Sequence, residues 1–489
     1  MSSGTLTDHD KLFIGGEWVV PSSNARIEVI SSSTEERIGS VPAAAEADVD
    51  AAVDAARRAF DDPSGWATWD PSARADAIER LADILERHGE DIAQRVSAQN
   101  GMPISLSRQI EAVFPPMLLR YYAGLVRATP TAELRDGLLG GQISIERSPI
   151  GVVGAIVPWN YPETLLAFKL APGLAAGCCF VIKPSPETVL GSFVLSECIA
   201  EAGIPAGVVN FVPGGREIGA YLVQHPRIDK VAFTGSTAAG RSIAEVCGRL
   251  LRPVTLELGG KSAAIFLDDA ELANAAEALV MATLLNNGQT CVLSTRILAP
   301  RTRYDEIVGT FGAIASALKV GPALDETTEV GPMASKTHRE RVLGYIEQGK
   351  ADGARVVAGG GAPADLDRGW FVSPTIFADV APDHTIAREE IFGPVLAVIP
   401  YDTVDEAVAI ANDSPYGLAG TVWSGDPDHA LSVARRVQTG AIGINHFMLD
   451  PAGPFGGIKD SGLGKELGPE GLVAYQRLQT VYVTPPTLI

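Results

Sequence analysis

Three shortages in this 489-residue sequence each remove a class of function: few cysteines, no long uninterrupted apolar run, and a deficit of positive charge. The five cysteines form no Cys-x-x-Cys pair and no Cys/His cluster at metal-ligand spacing. That argues against a disulfide framework and a zinc site, so no metal is expected and a reducing, cytoplasmic setting fits. Cys178 and Cys179 sit in an apolar run and read as core thiols. The longest apolar stretch, 165–182, is interrupted by Lys169, Pro172, Gly173 and Gly177. It reads as helix, turn and strand, not as a bilayer span. The first ten residues are polar and show no secretory pattern. Lys and Arg number 39 against 59 Asp and Glu, a net charge of −20, which argues against a nucleic-acid partner because phosphates would be repelled.

What is present is a globular composition, 46% hydrophobic and 20% charged, in a chain long enough for two or three domains. Residues 11–30 alternate loosely around Gly15-Gly16 and suggest a hairpin. Asp48 is placed to cap a helix with Val49, Ala52, Val53, Ala56 and Phe60 on one face. Further helical patterns run over about 72–99 and 109–127, and 142–147 alternates like an exposed strand. From residue 150, short apolar strands alternate with helices, with strands expected at 151–157, 178–183, 208–212, 230–234 and 254–258. This pattern predicts a parallel sheet covered on both faces, with ligands at the carboxyl ends of its strands. A second β/α series starts near Ser262, including a helix over 271–285, and the tail from 473 ends in an extended segment.

Chemistry-bearing residues fall at those strand ends. Gly235-Ser236-Thr237-Ala238-Ala239-Gly240 lies on a strand-to-helix turn, where small residues let backbone N–H groups approach a pyrophosphate; a plain tight turn is the bland reading. Lys183 ends an apolar strand and can donate to ribose or phosphate oxygens, or simply mark the strand leaving the core. Glu257 ends another, where desolvation would raise its pKa toward use as a general base; a salt-bridged carboxylate is the alternative. Asn160 carries an amide suited to a developing oxyanion, and equally suited to cap the next helix. Cys291, in Asn287-Gly288-Gln289-Thr290-Cys291, follows a helix-like run and a turn that glycine relaxes, so its thiol can be exposed as a core thiol cannot.

These motifs, in this order, carry a resemblance. The chain resembles the aldehyde dehydrogenase superfamily over nearly its whole length, through Pro158-Trp159-Asn160-Tyr161-Pro162, Lys183-Pro184-Ser185, Phe233-Thr234-Gly235-Ser236-Thr237, Leu256-Glu257-Leu258-Gly259-Gly260-Lys261, Asn287-Gly288-Gln289-Thr290-Cys291, Glu390-Ile391-Phe392-Gly393-Pro394 and Pro454-Phe455-Gly456-Gly457. The resemblance implies an α/β fold of that family: a Rossmann-type coenzyme domain (1–127 and 149–258), an α/β catalytic domain (259–458), and a small β oligomerisation flap (128–148 and 477–489). It implies an enzyme that oxidises an aldehyde to the acid with NAD(P), and assembly as a homodimer or homotetramer. By the same carry-over, Cys291 attacks the carbonyl, Asn160 and the Cys291 N–H hold the oxyanion, and Glu257 activates water against the thioester. Lys183 binds the adenosine ribose, Gly235 and Ser236 the pyrophosphate, Glu390 the nicotinamide ribose, and Trp159 and Phe392 complete the coenzyme site. Phe114, Tyr161, Leu165, Phe168 and Phe455 line the aldehyde route, and their apolar character favours aliphatic or aromatic substrates.

The sequence departs from the pattern of many NAD-preferring members three residues after the ribose lysine, where Pro186 stands in place of a glutamate and Glu187 follows. A displaced Glu187 that reaches the 2′-hydroxyl selects NAD, and one that points away leaves NADP as the other candidate. A coenzyme-A-acylating enzyme is the first alternative, and Glu257 argues against it because a thiol acceptor needs no positioned water. A catalytically inactive scaffold protein is the second, and the presence of Cys291, Glu257 and Asn160 argues against it.

Overall fold

A computed structural model describes residues 7–484. The first six residues of the polar N-terminal stretch and the end of the extended tail, 485–489, lie outside the described residues. The alternating strands and helices from residue 150 form a six-stranded sheet. Its order is Val209–Phe211, Cys179–Lys183, Val152–Ile156, Lys230–Thr234, Val254–Glu257, then Gly462–Leu463. The first five are parallel and the last is antiparallel. Numbered along the chain, the parallel strands lie in the order 3-2-1-4-5, the doubly wound arrangement that leaves a ligand crevice at their carboxyl ends. Every residue of the central strands is buried, as a sheet covered on both faces requires.

The second series builds a seven-stranded sheet ordered Arg355–Ala358, Thr375–Ala378, Val395–Tyr401, Arg296–Pro300, Ala263–Phe266, Gly420–Trp423 and Gly443–Ile444. Only Arg355–Ala358 runs antiparallel to its neighbour. Ala132–Asp136, Gln142–Pro149 and Gln476–Thr484 make a separate three-stranded antiparallel sheet that joins mid-chain to tail. The expected N-terminal hairpin is Leu12–Ile14 with Glu17–Val19, turning on Gly15 and Gly16 at φ 66° and 81°. Among the described residues no helix is long and apolar enough to cross a membrane.

The helices correct the sequence reading in four places. Asp48 sits one turn inside the helix Glu46–Asp61, and its carboxylate accepts from Ala45 N at the start of that helix (2.8 Å) and from Ser22 N. The pattern over 72–99 is two helices, Pro71–Arg87 and Gly89–Asn100, divided at His88 where Gly89 packs closely on Ala112. The pattern over 109–127 divides into Ile104–Ile110 and Phe114–Ala128. The second of these starts at Pro115-Pro116, residues without N–H groups, which suit a first turn and no other part of a helix. The helix expected from 271 begins at Ala276.

Candidate active site

Cys291 is presented by a loop that amide side chains hold in shape. The helix Ala276–Thr283 ends just ahead of Asn286, Asn287 and Gly288, all left-handed, at φ 52°, 60° and 75°. Asn287 donates to Gly101 O (2.8 Å) and Pro332 O (3.1 Å) and accepts from Gly331 N (2.6 Å). Gln289 accepts from Ala334 N (2.9 Å). The other four cysteines are buried, while Cys291 keeps partial exposure.

Among the described residues Cys291 is the one common to the linings of two cavities. On the coenzyme-sheet side is a space of about 280 Å³, bounded by the strand ends: Trp159, Asn160, Gly235, Ser236, Glu257 and Glu390, with Phe392 beside them. On the other side is a tunnel of about 290 Å³ to which Phe114, Tyr161, Leu165, Phe168 and Phe455 all contribute. Among the described residues no charged side chain lines the tunnel. Its further walls, Leu106, Ile110, Met281, Phe447 and Leu449, gave no local signal in the sequence, since each lies in an ordinary apolar stretch.

The structure settles the bland reading of Asn160. The helix Pro162–Ala176 starts after Tyr161 and Asn160 does not cap it. Instead its Nδ2 donates to Gln289 O (3.0 Å), beside the cysteine, which leaves a second amide hydrogen uncommitted. Its own carbonyl is held by Asn100 Nδ2 and Asn286 Nδ2, both at 3.1 Å. Glu257 is 3% exposed and neither carboxylate oxygen has a hydrogen-bond partner. Burial first, and then the Glu466 carboxylate, raise its pKa well above the usual carboxylate range, with Lys169 and Lys465 opposing. Close approach is possible because Gly456 has no side chain: a Cβ there would sit 2.6 Å from Glu257 Oε1. Behind it lies a buried ion pair missed by the sequence reading, in which Lys169 Nζ donates to Glu466 Oε1 (2.8 Å) and Thr234 Oγ1 (2.6 Å). The Cys291 thiol is pushed up to about 12 by burial, with the Glu390 and Glu257 carboxylates adding to it.

The remaining cavity wall rests on the helix Lys336–Ala351. His338 Nε2 lies 2.7 Å from Phe392 O, and burial depresses the ring's pKa to about 4. A neutral ring facing a carbonyl must carry its proton on Nε2, so it donates. That bond holds Phe392 at φ 62°, with its ring edge-on to Trp159 at 5.4 Å. Arg341 donates to Glu390 O (2.7 Å), and Glu390 Oε1 accepts from Gly260 N (3.0 Å). His338 and Arg341 both line the space, and neither belongs to a motif a sequence could show.

A dinucleotide fits these residues. A Cβ on Gly259 would fall 2.1 Å from Glu390 Oε2, so only glycine admits that carboxylate at the wall. Ser236 caps the helix Thr237–Arg249 through Ala239 N (3.4 Å), and the unpaired N–H groups of its first turn are the kind of donors a pyrophosphate takes. Lys183 stands apart from the other candidates. It does not line the space, and its Nζ donates to Gly214 O (2.7 Å) and Pro184 O (3.0 Å). Glu187 is exposed and accepts from Ser185 Oγ.

Doubly wound sheet, strand-end crevice and a thiol between that crevice and an apolar tunnel define an oxidoreductase class that handles a small apolar substrate against a dinucleotide. The chain belongs to the aldehyde dehydrogenase family, whose model matches residues 18–481, and it is an NAD(P)-dependent aldehyde dehydrogenase. It is 56% identical over 476 residues to a geranial dehydrogenase of Castellaniella defragrans, covering 97% of this chain and 99% of the relative. Its fold is similar to an aldehyde dehydrogenase of Mycobacterium tuberculosis solved with NAD+, with TM-score 0.96 and 47% identity, covering 99% of this chain and 100% of that one. A cysteine-to-alanine variant of a Pseudomonas syringae aldehyde dehydrogenase, solved with NAD+ and octanal, matches at TM-score 0.96 and 38% identity over 100% of both chains.

Proposed function

We propose that this enzyme oxidises uncharged aldehydes of medium length, linear, branched or aromatic, to the acids with NAD, through Cys291, Asn160 and Glu257. The observation that carries the reading is the placement of Cys291 at the junction of a polar cavity and an uncharged tunnel. The tunnel's volume of about 290 Å³ is at the small end of the ~300–1,000 Å³ usual for ligand pockets, which suits a single slender chain. The geranial-named and octanal-bound relatives support that substrate class.

The thiol begins protonated, because burial and two carboxylates oppose the thiolate. Its sulfur attacks the carbonyl carbon as the S–H proton passes to solvent water at the partly exposed cysteine, and the oxyanion of the thiohemiacetal rests on the uncommitted Asn160 hydrogen and the Cys291 N–H. One such donor is worth about 3 kcal/mol in the transition state. NAD would supply, when bound, a hydride acceptor for the thiohemiacetal carbon, whose C–H electron pair leaves as the C=O re-forms, so that the acyl group stays on Cys291 as a thioester. Trp159, Gly235, Ser236, Glu390 and Phe392 would line its place, and Lys183, outside that lining, is assigned to the adenosine ribose by the family resemblance alone. Glu257 then takes a proton from water as that water adds to the thioester, and the acid leaves as the thiol re-forms. A raised pKa strengthens the carboxylate as a base, and its two unpartnered oxygens suit a water. An acylation of coenzyme A would use no such group.

The same reading divides the chain into a coenzyme domain (1–127 and 149–258), a catalytic domain (259–458) and a flap (128–148 and 477–489) that joins two or four copies. Two separate large sheets and one small one support that division. Glu187, one residue beyond the departure at Pro186, favours NAD over a 2′-phosphorylated coenzyme by its charge. Five free cysteines support a reducing, cytoplasmic location. The test is a panel of aldehydes with NAD and with NADP, without added coenzyme A. Octanal and geranial should be oxidised with higher kcat/KM than a carboxylate-bearing aldehyde. Cys291→Ala should abolish turnover, and Glu257→Gln should retain a burst of NADH while steady turnover falls about 100-fold. Full steady turnover in Glu257→Gln removes the base assignment.

A further inference from the structure

The helix Pro162–Ala176 carries Tyr161, Thr164, Leu165 and Phe168 into the tunnel, yet its own start has no capping side chain: the N-cap is Tyr161 and it makes no cap bond. A helix N-terminus buried without a partner for its N–H groups is costly. The partner comes from elsewhere in the chain. Glu111, fully buried, accepts from Glu163 N through Oε2 at 2.8 Å. The Thr164 N–H and hydroxyl face the same carboxyl, and the Thr164 hydroxyl donates to Ile110 O at 3.4 Å. Glu111 lies in the short break between the helices Ile104–Ile110 and Phe114–Ala128, whose residues Leu106, Gln109, Ile110 and Phe114 form the facing tunnel wall.

We propose that Glu111 is a specificity-positioning residue, a cap supplied in trans that fixes the spacing of the two tunnel walls and so sets the preference for long apolar aldehydes. It is not itself part of the cavity lining and acts through Thr164, Leu165 and Phe168 on one side and Ile110 and Phe114 on the other. A carboxyl group suits the position because one oxygen accepts from the first-turn Glu163 N–H while the group reaches across from a neighbouring break; burial raises its pKa to about 7, so the hydrogen bond and not a full charge makes the cap. Asn160, one residue ahead of that helix's N-cap, is held independently by Asn100 and Asn286. Loss of the trans cap therefore reaches the tunnel more than the oxyanion site. A short aldehyde needs only Cys291 and Asn160, whereas a long one also needs both walls in register.

This proposal rests on the tunnel being the aldehyde route. The experiment measures kcat/KM for octanal and acetaldehyde in the full-length enzyme carrying Glu111→Ala, Glu111→Asp or Glu111→Gln, with Phe114→Ala alongside. The octanal-to-acetaldehyde ratio should fall about tenfold in the Ala variant, on the scale of discrimination by apolar pockets. It should fall similarly in the Asp variant, which keeps the carboxyl group but not the reach, and be largely retained in the Gln variant, whose amide oxygen still accepts from Glu163 N. NAD affinity by tryptophan fluorescence and alkylation of Cys291 by iodoacetamide should stay unchanged throughout. If the Ala variant does not fold, the Asp and Gln pair decides. An unchanged ratio in both Ala and Asp, or an equal loss for both aldehydes with weakened NAD binding, overturns the proposal. Should Phe114→Ala also leave the ratio unchanged, the tunnel reading itself fails, and a change in Phe114→Ala alone removes only the role of Glu111.

Discussion

A cysteine whose thiol is pushed up to about 12 carries little thiolate at neutral pH, and Cys291 is such a cysteine. Burial is the largest cause, followed by Glu390 and Glu257. The thiolate is the reactive form, so a raised pKa leaves little of it at neutral pH and more at every step upward. Alkylation of coenzyme-free enzyme by iodoacetamide should therefore climb about tenfold per pH unit. It should show no plateau below pH ~10, since saturation comes only where most of the thiol is ionised. A plateau near pH 8 would mean that neither burial nor the two carboxylates hold the thiol up. The residues that govern this behaviour differ in how legible they were. Cys291, Glu257 and Asn160 stood out as candidates because each closes a patterned stretch, but each kept a bland alternative, and the family resemblance supplied most of the case for their roles. Lys169 and Glu466 could not, because they meet across 297 positions of sequence and each alone looks like an ordinary helix or loop charge. Asn100, His338 and Arg341 were hidden for the same reason: their partners are backbone carbonyls in distant segments.

At the scale of elements, the strand ends were readable because β/α alternation fixes where a parallel sheet puts its ligands. Helix limits were less so, since an apolar stripe passes through the breaks at His88 and at Glu111–Val113 without a change of period. The joint between the cysteine loop and the Phe392 segment shows what a sequence motif can conceal. Gly288 lies at φ 75°, and a Cβ on it would sit 2.1 Å from the Gly393 carbonyl carbon. Gly203 has a similar φ of 71° but nothing within 4 Å. Gly203→Ala should thus cost only backbone strain, about 1 kcal/mol, while Gly288→Ala adds a main-chain collision for a total of roughly 3 kcal/mol or more. Urea unfolding of the two variants reads the difference directly. Gly288→Ala should also lower turnover, because the displaced loops carry Cys291 and Phe392. Equal destabilisation by the two would show that the loops part without cost.

For the whole molecule, the small sheet of Ala132–Asp136, Gln142–Pro149 and Gln476–Thr484 is the feature a lone chain explains least. Leu134, Leu478 and Tyr482 are 65%, 63% and 81% exposed on it, and Leu138 and Leu139 are exposed at its turn. By register Leu478 and Tyr482 share one face and Leu134 lies on the other, and exposed apolar side chains on an outlying sheet are a hazard for a monomer and an asset for an assembly. A second copy of the same chain is the economical partner, because a self-complementary patch generates a closed dimer. The net charge of −20 per chain opposes that association, but at physiological salt the Debye length is about 8 Å and the repulsion is largely screened. The apolar contact should therefore decide. Sedimentation of the wild-type enzyme at micromolar concentration should give a mass twice or four times the chain's 51.3 kDa. Placing lysine at the centre of the patch, Leu478→Lys with Tyr482→Lys, should shift the population toward the single chain, and lowering the salt should shift it further in the same direction. A wild-type enzyme that sediments as one chain, or a double variant that assembles as the wild type does, would remove the flap from the assembly.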